Sequence, residues 1–244
     1  MVAIELSSLS VLKSPAQAVR DVSLSVKRTE TVAFFSQDGS ADLLLLALAG
    51  ILPLGEGQAQ IFGYDLKTQR KKASRLLAFT TGETEGAASA HLTVKENLTL
   101  LCRLHGKRKK EAADRAARLM ASFDLSEKAN VWAKDLPFGC ARRLNVAMAM
   151  AYDPSVLLLK NPTKDLNALQ RRELLAMLGA QKEKRAVVFS SPDPFVCTAI
   201  ADRIAVFGGG RLLAFDTKQA LQNATGAASA EEACLALLQK EGSV

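Results

Sequence analysis

The run Thr31–Phe35 reads Thr-Val-Ala-Phe-Phe, with apolar residues at consecutive rather than alternate positions. Successive side chains of a strand point to opposite sides of a sheet, so such a run predicts a strand covered on both faces. A polar loop at residues 36–41 follows, and then an apolar helix from Asp42. A second fully buried strand is expected at residues 155–159. Around these two, further strands are expected at residues 2–6, 22–26, 58–62, 76–80 and 186–190, and a hairpin at 203–207 and 211–215. Helical periodicity runs from Thr93 to about Asp135, where Leu98, Leu101, Cys102, Leu119, Met120 and Phe123 recur at steps of three and four. Further helices are expected at 141–151, 166–178 and 195–201. Strands alternating with helices predict an α/β fold with a mostly parallel sheet covered on both sides.

The chain has 244 residues, 48% of them hydrophobic, which suffices for one large core and argues against disorder. The longest apolar run, residues 43–54, falls short of the about 20 residues a spanning helix needs and contains Gly50 and Pro53, so it reads as a buried core helix. The N-terminal stretch lacks the pattern of a secretory signal. Cys102, Cys140, Cys197 and Cys234 are far apart in sequence and only His91 and His105 accompany them, which predicts buried free thiols in place of a metal cage. A formal charge of +7 fits an anionic partner, yet much of it lies in runs such as Lys107-Arg108-Lys109-Lys110, which are usually solvated helix faces. Gly208-Gly209-Gly210 lies between two strands and reads as a turn.

A buried strand, a loop and a helix can cradle phosphate if the loop supplies glycines, a Lys and a Ser or Thr. In the frame G-x-x-x-x-G-K-[ST] this chain has Ser36, Ala41, Asp42 and Leu43, with Gly39 inside the loop. Read locally, Asp42 suits a helix cap, and Lys160 with Asn161 a solvated strand end.

Several other stretches carry a family resemblance: Leu48-Ala49-Gly50-Ile51-Leu52, Gly55-Glu56-Gly57-Gln58, Leu92-Thr93-Val94-Lys95-Glu96-Asn97-Leu98, Asp153-Pro154-Ser155-Val156-Leu157-Leu158-Leu159 and Ala201-Asp202-Arg203-Ile204-Ala205-Val206. Along nearly its whole length the chain resembles the ATP-binding subunit of ABC transporters, of the exporter type with separate membrane subunits. The resemblance implies a P-loop NTPase-like core spanning residues 1–216, with an N-terminal antiparallel β part and an α-helical subdomain inserted at about 83–135. Residues 217–244 would form a C-terminal helical tail, broken at Gly226.

The functional positions of that family are altered here. The signature Leu-Ser-Gly-Gly-Gln reads Leu136-Pro137-Phe138-Gly139-Cys140. The Walker B end Asp-Glu-Pro-Thr reads Lys160-Asn161-Pro162-Thr163. The D-loop Asp is Asn167, the switch His is Pro192, the Q-loop Gln falls on Gly82, and no aromatic stands near Leu12 or Lys13 to stack on adenine. One unit-charge pair is worth about 4 kcal/mol at 4 Å and an effective dielectric of 20, half of the about 8 kcal/mol that holds a micromolar nucleotide. An acid in place of the phosphate-loop Lys therefore predicts a pseudo-ATPase with no catalytic residue and with ATP and magnesium binding lost. The resemblance implies partners: a membrane-spanning ABC subunit and an active ATPase paralogue, at the inner face of the cell membrane. Gly82, Gly86, His91, Phe138 and Gly139 are the expected contact positions, in a small polar groove. Two alternatives are an atypical ATPase with residual nucleotide binding and a soluble basic binding module. Scarce aromatics, 5% of residues, argue against a nucleic-acid partner.

Overall fold

The computed structural model describes residues 1–14, 17–83 and 88–241, and side chains through 239. The chain opens with two long antiparallel strands, β1 (Val2–Ser14) and β2 (Gln17–Lys27). The buried strand β3 (Thr31–Phe35) and helix α1 (Ser40–Leu48) follow. Next come β4 (Gln58–Ile61), β5 (Tyr64–Asp65), α2 (Arg70–Ser74) and β6 (Leu77–Thr81). Three helices succeed them: α3 (Val94–Leu104), α4 (Lys109–Ser122) and α5 (Phe138–Ala149). The second half alternates β7 (Val156–Lys160), α6 (Ala168–Gly179), β8 (Ala186–Ser191) and α7 (Pro194–Ile200). It closes with the hairpin β9 (Arg203–Gly208) and β10 (Arg211–Thr217), then α8 (Lys218–Thr225) and α9 (Ala230–Glu241).

Two sheets result. The larger has the order β10-β9-β3-β8-β7-β6, parallel from β9 to β6 with β10 antiparallel at its edge. The smaller, β2-β1-β4-β5, is antiparallel throughout.

The continuous apolar runs divide their side chains between two cores. Val32 and Phe34 of β3, Val156 and Leu158 of β7, and Ala186 and Val188 of β8 pack with α1 and the smaller sheet. Ala33 and Phe35, Leu157 and Leu159, and Val187 and Phe189 face the helices on the other side. Consecutive apolarity is therefore alternation against two apolar layers. Val94, Leu98 and Cys102 of α3, at four-residue steps, are buried, as are Ala112, Ala116, Leu119 and Met120 of α4. Thr93 and Glu96 close a capping box at the start of α3.

Several expected boundaries shift. β1 and β2 extend well past residues 2–6 and 22–26, because register shifts between Leu6 and Leu9 and between Leu9 and Val11 break the period-two pattern. Ser8, at φ 47°, sits in that irregular stretch. The apolar run at 43–54 is not one helix: α1 ends at Leu48, capped by Ala49, and Gly50 takes φ 75°. The triplet Gly208-Gly209-Gly210 makes the β9–β10 turn, and Gly226 ends α8 at φ 72°. All four cysteines are free and buried. No helix of the described residues is long and apolar enough to cross a membrane.

Candidate functional site

The loop between β3 and α1 lies where parallel strands end, the usual place for a ligand in an open α/β sheet. In this chain two of its backbone donors, the Ser40 and Ala41 N–H groups, are already engaged. Gly39, at φ 84°, is the N-cap of α1 and offers no side chain to cap it. The carboxylate of Asp38 instead accepts from the Ser40 backbone N–H at 2.9 Å and from the Ser40 hydroxyl at 2.7 Å. It also accepts the Gly210 N–H at 3.3 Å. Buried Ser36 accepts the Ala41 N–H through its Oγ at 3.1 Å. Two donors that a phosphate-binding loop would present outward are thus met by the loop's own oxygens.

Asp42 is the third residue of α1. The helix begins at Ser40, two residues before the expected start, so Asp42 does not cap it; its charge still lies in the first turn, where an acid is favourable. Its carboxylate faces the ends of β7 and β8. Oδ1 accepts from the Ser190 hydroxyl at 2.5 Å and Oδ2 from the Asn161 amide at 3.0 Å. The Lys160 ammonium stands 3.6 Å from Oδ2, with both side chains about a quarter exposed. Lys160 and Asn161 are therefore not a solvated strand end; they close over Asp42. Ala41 and Leu43, on either side of it, are buried in the core.

The same closure fixes Gly82. Its N–H donates to the Lys160 carbonyl at 2.6 Å. A Cβ placed there would lie 1.9 Å from the Asn161 carbonyl oxygen and 2.7 Å from Nη1 of Arg142. The position therefore has no room for any larger side chain. Asn161 holds φ 46°, and its Oδ1 is buried without a hydrogen-bond partner.

Arg142 is a group that sequence reasoning missed. It is 1% exposed and points back along α5, its guanidinium 5.4 Å from the Phe138 ring one turn earlier. Nη2 donates to the Lys164 carbonyl at 3.1 Å, while Nε and Nη1 have no hydrogen-bond partner. Burial pulls its pKa down, and Asp165 and Glu83 offset that only in part. Ser190 and Asp38 were missed too, because neither belongs to an altered motif position.

The remaining positions have local structural roles. Pro137 is the N-cap of α5 and makes no side-chain cap bond; Phe138, 42% exposed, opens the helix. Gly139 is buried, and a Cβ there would meet the Gln170 amide at 2.9 Å. Asn167 caps α6: its Oδ1 accepts the Gln170 N–H at 3.0 Å, and Gln170 reciprocates at 3.3 Å. Pro192 is exposed between β8 and α7, before Asp193, which caps α7 and pairs with Arg171 at 2.7 Å. Leu12, near the expected stacking position, is 59% exposed opposite Ala18.

Of the five expected contact positions, His91 and Phe138 are exposed, with His91 edge-on to Trp132. Gly82 and Gly139 are instead buried within the chain, Gly82 against the Asn161 backbone carbonyl and Gly139 beside the Gln170 side chain. Gly86 lies outside the described residues. A groove beside the helices is lined by Phe79, Leu101, His105, Met148 and Tyr152 among others; it is separate from the expected polar groove around Gly82–His91, part of which lies outside the described residues. Among the described residues no three His, Cys, Asp or Glu side chains gather to hold a metal ion.

The ABC transporter family model matches residues 19–164, more than half of the chain. Among curated proteins, the retinal-specific phospholipid-transporting ATPase ABCA4 of Homo sapiens is 28% identical over 210 residues, covering 86% of this chain and 9% of that protein. The probable multidrug ABC transporter ATP-binding protein YbhF of Escherichia coli (strain K12) is 27% identical over 206 residues, covering 84% of this chain and 35% of YbhF. The chain thus spans only a minor part of the length of these relatives. The solved structure of cbiO1 from Clostridium perfringens, part of the ABC transporter complex cbiONQ, superposes with a TM-score of 0.82 at 16% identity, covering 93% of this chain and 96% of that one. The fold is therefore that of an ABC ATP-binding subunit, with its mixed sheet, flanking helices and N-terminal antiparallel sheet. By its sequence match and its fold, this chain belongs to the ABC transporter family.

Proposed function

We propose that this chain is a non-catalytic subunit of an ABC-type membrane transport complex, one that scaffolds or regulates a partner ATPase and a membrane-spanning subunit from the inner face of the cell membrane. The observation that carries this reading is the Asp42 carboxylate, fixed by Ser190, Asn161 and Lys160 where a phosphate-binding loop needs a cation. A polyphosphate approaching this helix start would meet the carboxylates of Asp38 and Asp42, and the Ser40 and Ala41 N–H groups are taken. The oxygen ligands and the base expected at the end of β7 are a lysine and an amide. Phosphoryl transfer depends on a metal and cations to neutralise developing charge; here the end of β7 offers no carboxylate to hold a metal, and its one cation, Lys160, stands against Asp42. We therefore assign it no hydrolytic step.

Calorimetry of the full chain with ATP and magnesium tests the reading directly. No binding tighter than millimolar is expected; micromolar binding, or magnesium-dependent release of phosphate, overturns it. Capture of the chain from native membranes should recover a membrane-spanning subunit and a second ATPase-like chain, and recovery of neither would remove the proposed partners.

A further inference from the structure

The helix hairpin of α3 and α4 ends in a tip that the nucleotide-site geometry does not use. Leu100 and Leu104 lie one turn apart on the same face of α3, 46% and 71% exposed. Their exposure is not loose packing. Cys102 between them is fully buried, its thiol bonded to the Ala151 carbonyl at 3.4 Å, and it packs with Ala112 of α4. The turn is thus pinned to the body of the protein while two leucines project from it.

Five cations fall within eight residues of sequence beside those leucines: Arg103, Lys107, Arg108, Lys109 and Lys110. Among the described residues none of the five closes an ion pair. Three of them are placed against local physics. Arg108 is the N-cap of α4, and Lys109 and Lys110 are its first two residues, where the helix dipole disfavours positive charge. Only Glu111, which accepts the Arg108 N–H at 3.0 Å, supplies the acid that such a terminus favours. Lys107 acts on the Asp153 carboxylate, but cations without an ion pair held at an unfavourable helix end, beside projecting leucines, are accounted for by an external anion that also accepts apolar side chains.

We infer that this tip docks directly on an anionic lipid surface, with Leu100 and Leu104 entering the headgroup–acyl boundary and the five cations resting among the acidic headgroups. A soluble polyanion would use the charge and leave the leucines idle. The contact is the chain's own, independent of any membrane subunit, and it does not rest on loss of nucleotide binding.

Flotation of the full chain with lipid vesicles tests it. The chain is expected to float with vesicles containing phosphatidylglycerol, not with pure phosphatidylcholine, and to be released by salt. Lys109→Glu with Lys110→Glu should lower the partition at least about tenfold. These reversals place acids at a helix start, so they favour α4 and cannot act by unfolding it. Leu100→Ser with Leu104→Ser, both exposed, should lower it several-fold while leaving any retention of single-stranded RNA unchanged. Absence of flotation on acidic vesicles, equal flotation on neutral ones, or full binding by the leucine pair overturns the inference; the last would mark a patch for soluble polyanions.

Discussion

The amide of Asn161 donates to the carboxylate of Asp42 at 3.0 Å across 119 residues of sequence. Each residue stands where the family resemblance expects the opposite chemistry, a carboxylate at 161 and an ammonium at 42. Lys160, also an acid in that frame, closes on the same carboxylate. The alterations at the two motifs are therefore complementary. Charge expected on one side stands inverted on the other, and together they form one polar cluster around Asp42, in which only the Asn161 Oδ1 lacks a partner.

Removing the acceptor should expose that dependence. Asp42→Ala leaves the Ser190 hydroxyl, the Asn161 amide and the Lys160 ammonium without their common partner, at a cost of ~1–3 kcal/mol. Urea denaturation monitored by circular dichroism measures it, and an unchanged midpoint would show that the cluster adds nothing to stability.

Gly82 should tolerate no larger residue. Gly82→Ala puts a Cβ 1.9 Å from a backbone carbonyl, and Gly82→Gln, the residue of the family frame, adds bulk beside Arg142. Each should cost more than about 2 kcal/mol, in the range of overpacked cores. Gly179→Ala is the control, since a Cβ there meets only the Ile200 side chain at an ordinary 3.6 Å. Equal midpoints for Gly82→Ala and Gly179→Ala would refute the steric account.

Asn167 should behave as a helix cap. Asn167→Ala loses the bond to the Gln170 N–H and should destabilise by ~1 kcal/mol, whereas Asn167→Asp retains an acceptor at a favourable end and should cost less. The two melting temperatures, compared in one buffer, check the order.

Acid should weaken the fold partly through Asp153. Burial raises its pKa, but the hydrogen bond from Arg185 and the charges of Arg115 and Arg185 outweigh that and hold it below the ordinary carboxylate value. A carboxyl lowered on folding contributes stability that is present above its unfolded value and disappears as pH falls through the folded one, so the loss lies below about pH 4. Asp153→Asn should therefore flatten the acid limb of the stability profile. Near neutrality it should cost only ~1 kcal/mol, because Asp153 is 60% exposed even though Arg185 is buried. An acid limb identical to that of the unaltered chain would exclude this contribution.

The thiols should resist modification until the chain unfolds. Burial raises Cys197 well above its ordinary value and Cys234 to about 11, so the reactive thiolate is scarce in both. A disulfide reagent at pH 8 should label neither in the folded protein and both in denaturant. Fast labelling without denaturant would contradict their burial.

Much of the architecture was legible along the chain because its determinants are local. Thr31–Phe35 announces a doubly covered strand through five consecutive side chains, and Leu98, Leu101, Cys102, Leu119, Met120 and Phe123 announce helix through steps of three and four. Where local order breaks, the reading shortened: the register shifts of β1 hid its length, and Gly50 cut a helix that apolarity alone would continue. At the site, the altered motif positions could be named residue by residue, but not what they touch.

Composition and order along the chain determined which runs form doubly covered strands and which form helices, and that an acid, Asp42, follows β3 where the family resemblance expects a cation. Only the folded structure decided that this acid meets Ser190, Asn161 and Lys160, that Gly82 has no space, and that Arg142 is buried with two unpartnered donors. Hydrophobic period and capping act over a few residues, so sequence carries them. Hydrogen bonds and close backbone approaches between strand ends join segments separated by 119 and 148 residues, and these exist only once the sheet has brought those ends together.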